Sequence, residues 1–125
     1  MNGLRISIAA SAGASSVDVT IPSGALSGGL GWKVNRTGTQ WTYTDPHGTQ
    51  SSVTRATLNN RSARTDGLLH LSVRAKGGSV VLPSTTGVHT TVVFGDSGEC
   101  AQIDWNPPTA ARPRCSGTAT QLTCR

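Results

Sequence analysis

The chain is poor in the material of a helical protein. Charged residues fill 14% of its 125 positions and aromatic ones 4%. A helical bundle draws on Ala, Leu, Glu and Lys repeating at helical spacing, and no useful run of that kind occurs. Nor does any apolar stretch approach ~18 residues, which excludes a membrane-crossing helix. Cysteine is scarce: Cys100, Cys115 and Cys124 are the whole supply, all late in the chain. They show no C-x-x-C spacing, and a structural zinc site groups its ligands more closely. His47, His70 and His89 lie far from them in sequence. Phosphate-binding glycine loops and dinucleotide fingerprints are missing as well. The expectation is a chain with no metal, no cofactor and no enzymatic activity.

What the sequence does contain is alternation. Leu4, Ile6 and Ile8 alternate with polar or small residues, as do Val17, Val19 and Ile21 before Pro22-Ser23-Gly24. Trp32 and Val34, then Trp41 and Tyr43, follow the same period of two. "DPHG" (45–48) places Pro second and Gly fourth, a favoured type I turn. "SVTRATLN", "LLHLSVRAK", "VHTTVVF" and "CAQIDW" continue the pattern, with Leu69, Leu71, Val73 and Ala75 expected inward. "RCSG" and "QLTCR" close the chain. Together these give about ten short strands, with Gly, Pro, Asn and Asp at the turns. The reading is one all-β domain over 1–125, an antiparallel β-sandwich of immunoglobulin-like or jelly-roll-like type.

The net charge of +5 is spread rather than clustered, with "NNRSAR" the densest basic stretch. Nucleic-acid binding gathers such charge on one face beside stacking aromatics, so no specific nucleic-acid partner is expected. The opening "MNGLRISIAASAGASS" has the Arg5, apolar stretch and small residues of a signal peptide. Ser and Gly interrupt its apolar centre, and the expectation is instead a mature chain or a fragment.

Several residues could carry chemistry, and each has a plainer reading. Trp32, Trp41 and Tyr43 crowd one hairpin. Facing inward they fill a core poor in Phe and Leu; facing outward they offer sugar rings a stacking platform. Core is the first reading, with Trp105 or Tyr43 the ring likeliest to be exposed, and Trp41, Tyr43 and Trp105 are the ligand-stacking candidates. "GDSG" (95–98) echoes a serine-protease nucleophile loop at Ser97, but Glu99-Cys100 follow it and no base-bearing motif accompanies it. A turn is its ordinary role. Asp45, Asp96, Glu99 and Asp104 suit calcium by type but not by density. His70 and His89 read as surface histidines, and the sequons at Asn35 and Asn60 as chance matches in a Ser/Thr-rich chain. A hairpin across "NPPT" would join Cys100 to Cys115, leaving Cys124 as a free or intermolecular thiol; a Cys115–Cys124 hairpin is equally allowed.

The order "GWKVN…GTQWTYTD", "VTRATL", "GLLHLSVRAKGGSVVLP", "GDSGECAQIDW" and "PRCSGTATQLTCR" resembles uncharacterised β-rich modules near the C-termini of large secreted bacterial proteins. The resemblance spans nearly the whole chain, on strand pattern and turns. It implies an exported, disulfide-bearing, non-enzymatic β-sandwich and carries over no functional residues. Two functions follow as expectations. The first is a structural or interaction module of a secreted or cell-surface protein, binding a protein partner or other copies of itself through strand edges. The second is a carbohydrate-binding module for polysaccharide.

Overall fold

The computed structural model describes residues 2–10, 16–76, 88–96, 98–105, 115–118 and 121–124. For Ala10, Ser16, 115–118 and 121–124 it describes the backbone alone. Every regular element among these residues is a strand. They are β1 (Leu4–Ala10), β2 (Ser16–Ile21), β3 (Gly31–Val34), β4 (Gln40–Thr44), β5 (Val53–Asn60), β6 (Leu69–Ala75), β7 (Val88–Phe94), β8 (Glu99–Trp105), β9 (Cys115–Thr118) and β10 (Gln121–Cys124). Two antiparallel four-stranded sheets result, ordered β2-β1-β7-β8 and β3-β4-β5-β6, with β9 and β10 forming a separate pair. Contacts within the chain group it into two compact units, Met1–Gly3 with Thr20–Gly78 and Leu4–Val19 with Ser79–Arg125.

The first unit is built on the β3–β6 meander. Its register sets Trp32, Tyr43, Ala56 and Val73 in one row and Val34, Trp41, Leu58 and Leu71 in the next. Side chains two apart share a face, so both rows lie on one apolar side of the sheet. Trp32, Tyr43, Ala56 and Leu58 are buried there, and Ile21 and Val53 are buried in the same unit. Two turns fix this register. In the 35–40 turn the Asn35 side-chain oxygen accepts the Thr39 and Gln40 amides at 2.9 and 3.0 Å. In "DPHG" the Gly48 amide donates to the Asp45 carbonyl at 3.1 Å, which closes the turn expected from the sequence. Gly31 has a different task. Its φ is +120°, and a Cβ there would lie 2.6 Å from the Ala25 carbonyl oxygen. Only glycine lets the 24–27 segment approach this closely, with Trp32 N–H donating to the Gly24 carbonyl at 2.9 Å and Leu26 N–H to the Trp32 carbonyl at 2.8 Å. That segment covers the outer edge of β3.

In the second unit Leu4, Ile6, Val19, Val88 and Val92 are buried. The opposite face of this sheet is polar. There the Arg5 guanidinium donates twice to the Asp18 carboxylate, at 3.0 and 2.5 Å, across exposed surface. That hydrogen bonding, with the Arg5 charge, holds the Asp18 carboxyl below its ordinary value.

The placement of β6 differs from expectation. Leu69, Val73 and Ala75, expected inward, share the apolar face of the meander but are exposed, Leu69 at 42% and Val73 at 36%. The alternation of "LLHLSVRAK" gives the correct face, but among the described residues β6 is terminal in its sheet and has a strand neighbour on one side only.

Candidate functional site

The two strands with the most exposed residues each end a sheet. Six of the seven residues of β6 are exposed, and six of the seven of β8. Among the described residues no strand pairs with the outer edge of either. A row of unpaired N–H and C=O groups along such an edge is a template for a further strand. The usual defences are sparse: neither strand contains proline, and each is seven residues long. Exposed apolar side chains flank both edges, Leu69 and Val73 on β6 and Ile103, 39% exposed, on β8.

The aromatic candidates divide. Tyr43, in the core on the first reading and the alternative to Trp105 as an exposed ring, is 1% exposed and packs against Trp32 with ring centroids 5.4 Å apart. A ring enclosed in this way has no face for a sugar, which removes Tyr43 from the stacking set. It sits in the central part of the Trp32–Val73 row, where alternation alone could not say which rings the core would take. Its hydroxyl is buried without a hydrogen-bond partner among the described residues, and burial followed by the charge of Asp45 raises its pKa. Trp32 is buried too, its indole N–H donating to the Pro22 carbonyl at 2.8 Å. Trp41 and Trp105 are half-buried. The Trp105 indole N–H donates to the Thr90 hydroxyl at 2.8 Å, which fixes that ring against β7.

Cys100, expected to bond Cys115, is an exposed free thiol on β8. The sequence reading took the two as hairpin neighbours, whereas β8 pairs with β7 and β9 with β10. The β9–β10 register sets the Cys115 backbone directly opposite that of Cys124. The side chains of Cys115 and Cys124, and Ser97 altogether, lie outside the described residues.

Asp45 and Asp104 are already engaged. The Asp45 carboxylate accepts the His47 amide at 3.1 Å, the Thr49 hydroxyl at 2.8 Å and the Gln50 amide at 3.2 Å. Burial pushes its pKa up, but these hydrogen bonds prevail and hold the carboxyl below its ordinary value. Asp104 accepts from the His89 imidazole Nδ1 across the β7–β8 register. In the neutral ring Nε2 is then the acceptor for the Thr91 hydroxyl, 3.2 Å away. Hydroxyl, imidazole and carboxylate thus follow one another as in acyl-transfer sites. Here Thr91 and His89 lie on a central strand whose backbone is committed to ladders on both sides, and the chain of bonds fastens β8 to β7. Asp96 is exposed, and no group of three or more His, Cys, Asp or Glu converges among the described residues. His70 is exposed on β6. The Asn35 side chain is spent on its turn, and the Asn60 side-chain oxygen accepts the Ser62 amide at 2.9 Å.

The sequence did not single out β6 and β8 as the terminal strands, nor the His89–Asp104 pair; both depend on which distant strands become neighbours. Compared with protein-family models, curated proteins and solved structures, the chain matches none.

Proposed function

We propose that this chain is a non-enzymatic structural or interaction module of an exported or cell-surface protein, and that it associates with other copies of itself through strand edges. The observation that carries the reading is that β6 and β8, each seven residues long and largely exposed, end their sheets with no further strand paired to them among the described residues. A composition low in charge and built on short strands supports export, as does the resemblance to modules of large secreted bacterial proteins. The sandwich remains our reading of the architecture, because a sheet with one apolar face is stable when that face is covered. Sedimentation of the purified chain across a concentration series tests the function: growth in mean mass supports it, and a monomer throughout overturns it.

A second reading rests on Trp41 and Trp105, whose rings keep part of their surface open. Stacking of either ring on polysaccharide would change its fluorescence on glycan titration. An unchanged spectrum across a glycan panel removes this reading.

A further inference from the structure

We infer that the polar face of the β3–β6 sheet, opposite its apolar side, binds an acidic polysaccharide. The site consists of side chains standing off the sheet, not of its edges, and it is separate from the rings of Trp41 and Trp105.

Strand register gathers on this face charge that is dispersed in the sequence. Arg55 stands directly opposite Arg74 on one side and Thr44 on the other. The next row on the same face runs Lys33, Thr42, Thr57 and Ser72. Lys33, Arg55, Ser72 and Arg74 are exposed. β3, β4, β5 and β6 contain no acid at all. Among the described residues ion pairs join Arg5 to Asp18 and His89 to Asp104, and none reaches Lys33, Arg55 or Arg74. Like charges directly opposite one another are destabilising, so an anion held between Arg55 and Arg74 relieves a cost that the sheet otherwise bears.

The imbalance extends to the unit that carries the sheet. Of the eleven Lys and Arg residues, only Arg5, Arg112, Arg114 and Arg125 lie outside the first compact unit. That unit holds two of the six acids, Asp45 and Asp66, and Asp45 is buried in its own turn. A surface of one sign attracts polymers of the other.

The chemistry of the two rows favours polysaccharide among polyanions. Guanidinium forks suit anionic oxygens, and the hydroxyls of Thr42, Thr57 and Ser72 suit those of sugars. Single-stranded nucleic acid is held by rings on which its bases stack. Trp32, Trp41 and Tyr43 all belong to the opposite face. A membrane surface takes up apolar side chains beside the basic ones, and the two rows offer none.

Calorimetric titration of the full chain tests the site, with heparin and polygalacturonate as probes and neutral dextran and a mixed-sequence single-stranded DNA as comparisons. Binding of either acidic polysaccharide, with dextran inert and DNA weaker, is the expected result. The double variant Arg55→Gln/Arg74→Gln should weaken that binding about tenfold, as the loss of two exposed ion pairs does. Lys33→Gln, on a different strand, should weaken it in the same direction. Arg61→Gln/Arg64→Gln removes equal charge from the exposed "NNRSAR" stretch and should leave affinity nearly unchanged. Neither acidic polysaccharide binding, DNA binding as tightly, or equal losses from the two double variants would overturn the assignment.

Discussion

Asp45 shows what one residue does for this fold. It ends β4, opens the "DPHG" turn through its carbonyl and gathers amide and hydroxyl donors around its carboxylate. Its pKa lies below the ordinary value in the folded chain, against about 3.9 unfolded. The folded state therefore favours the ionised form. This contribution is complete above the unfolded pKa and is lost as pH falls through the folded one. Asp45→Asn is expected to lower the denaturation midpoint at neutral pH, with the gap to wild type narrowing under acid; a gap that stays constant below pH ~4 contradicts the assignment. Tyr43 gives a contrasting case. Its ring is enclosed but its hydroxyl has no partner among the described residues. Tyr43→Phe should leave stability unchanged or raise it by about 1 kcal/mol, because a buried unpaired group is removed. Tyr43→Ala should cost on the order of 3–5 kcal/mol by leaving a cavity. Urea titration of the two variants checks both outcomes.

At the scale of elements, turns and faces were legible and neighbours were not. The "DPHG" turn and the 35–40 hairpin rest on residues adjacent in sequence, where Pro, Gly and Asn carry their own conformational instructions. The period of two likewise put Trp32, Tyr43 and Leu58 on one face. Exposure on that face depends on strand order, so alternation alone does not tell that the core takes Tyr43 and leaves Leu69, Val73 and Ala75 exposed. The cysteines went astray for the same reason, since β8 found β7 rather than β9. Gly31 is a test of local packing: Gly31→Ala meets the Ala25 carbonyl and a positive φ together. We expect a loss of about 1–3 kcal/mol with the β3 edge uncovered, read as faster amide exchange at Trp32 and Leu26. The β9–β10 pair has only four residues per strand, and an isolated two-stranded pair is marginal in water. Peptide mapping of the oxidised chain is expected to join Cys115 to Cys124 and leave Cys100 alkylatable. A Cys100–Cys115 peptide would reinstate the pairing first read from the sequence.

For the whole molecule, the central proposal is that β6 and β8, which end their sheets with no further strand paired to them among the described residues, associate with other copies of the chain. A lysine on an edge is a natural deterrent to strand addition. Leu69→Lys and Ile103→Lys place one at exposed positions of β6 and β8, where neither has to be forced into a core. The most direct measurement is sedimentation velocity of wild type and both variants over the same concentration series, with thiols kept reduced. The account predicts that the wild-type chain shifts to larger species as concentration rises and that each variant does so less. A wild-type chain that sediments as a monomer at every concentration, or variants that assemble as readily as wild type, would contradict it.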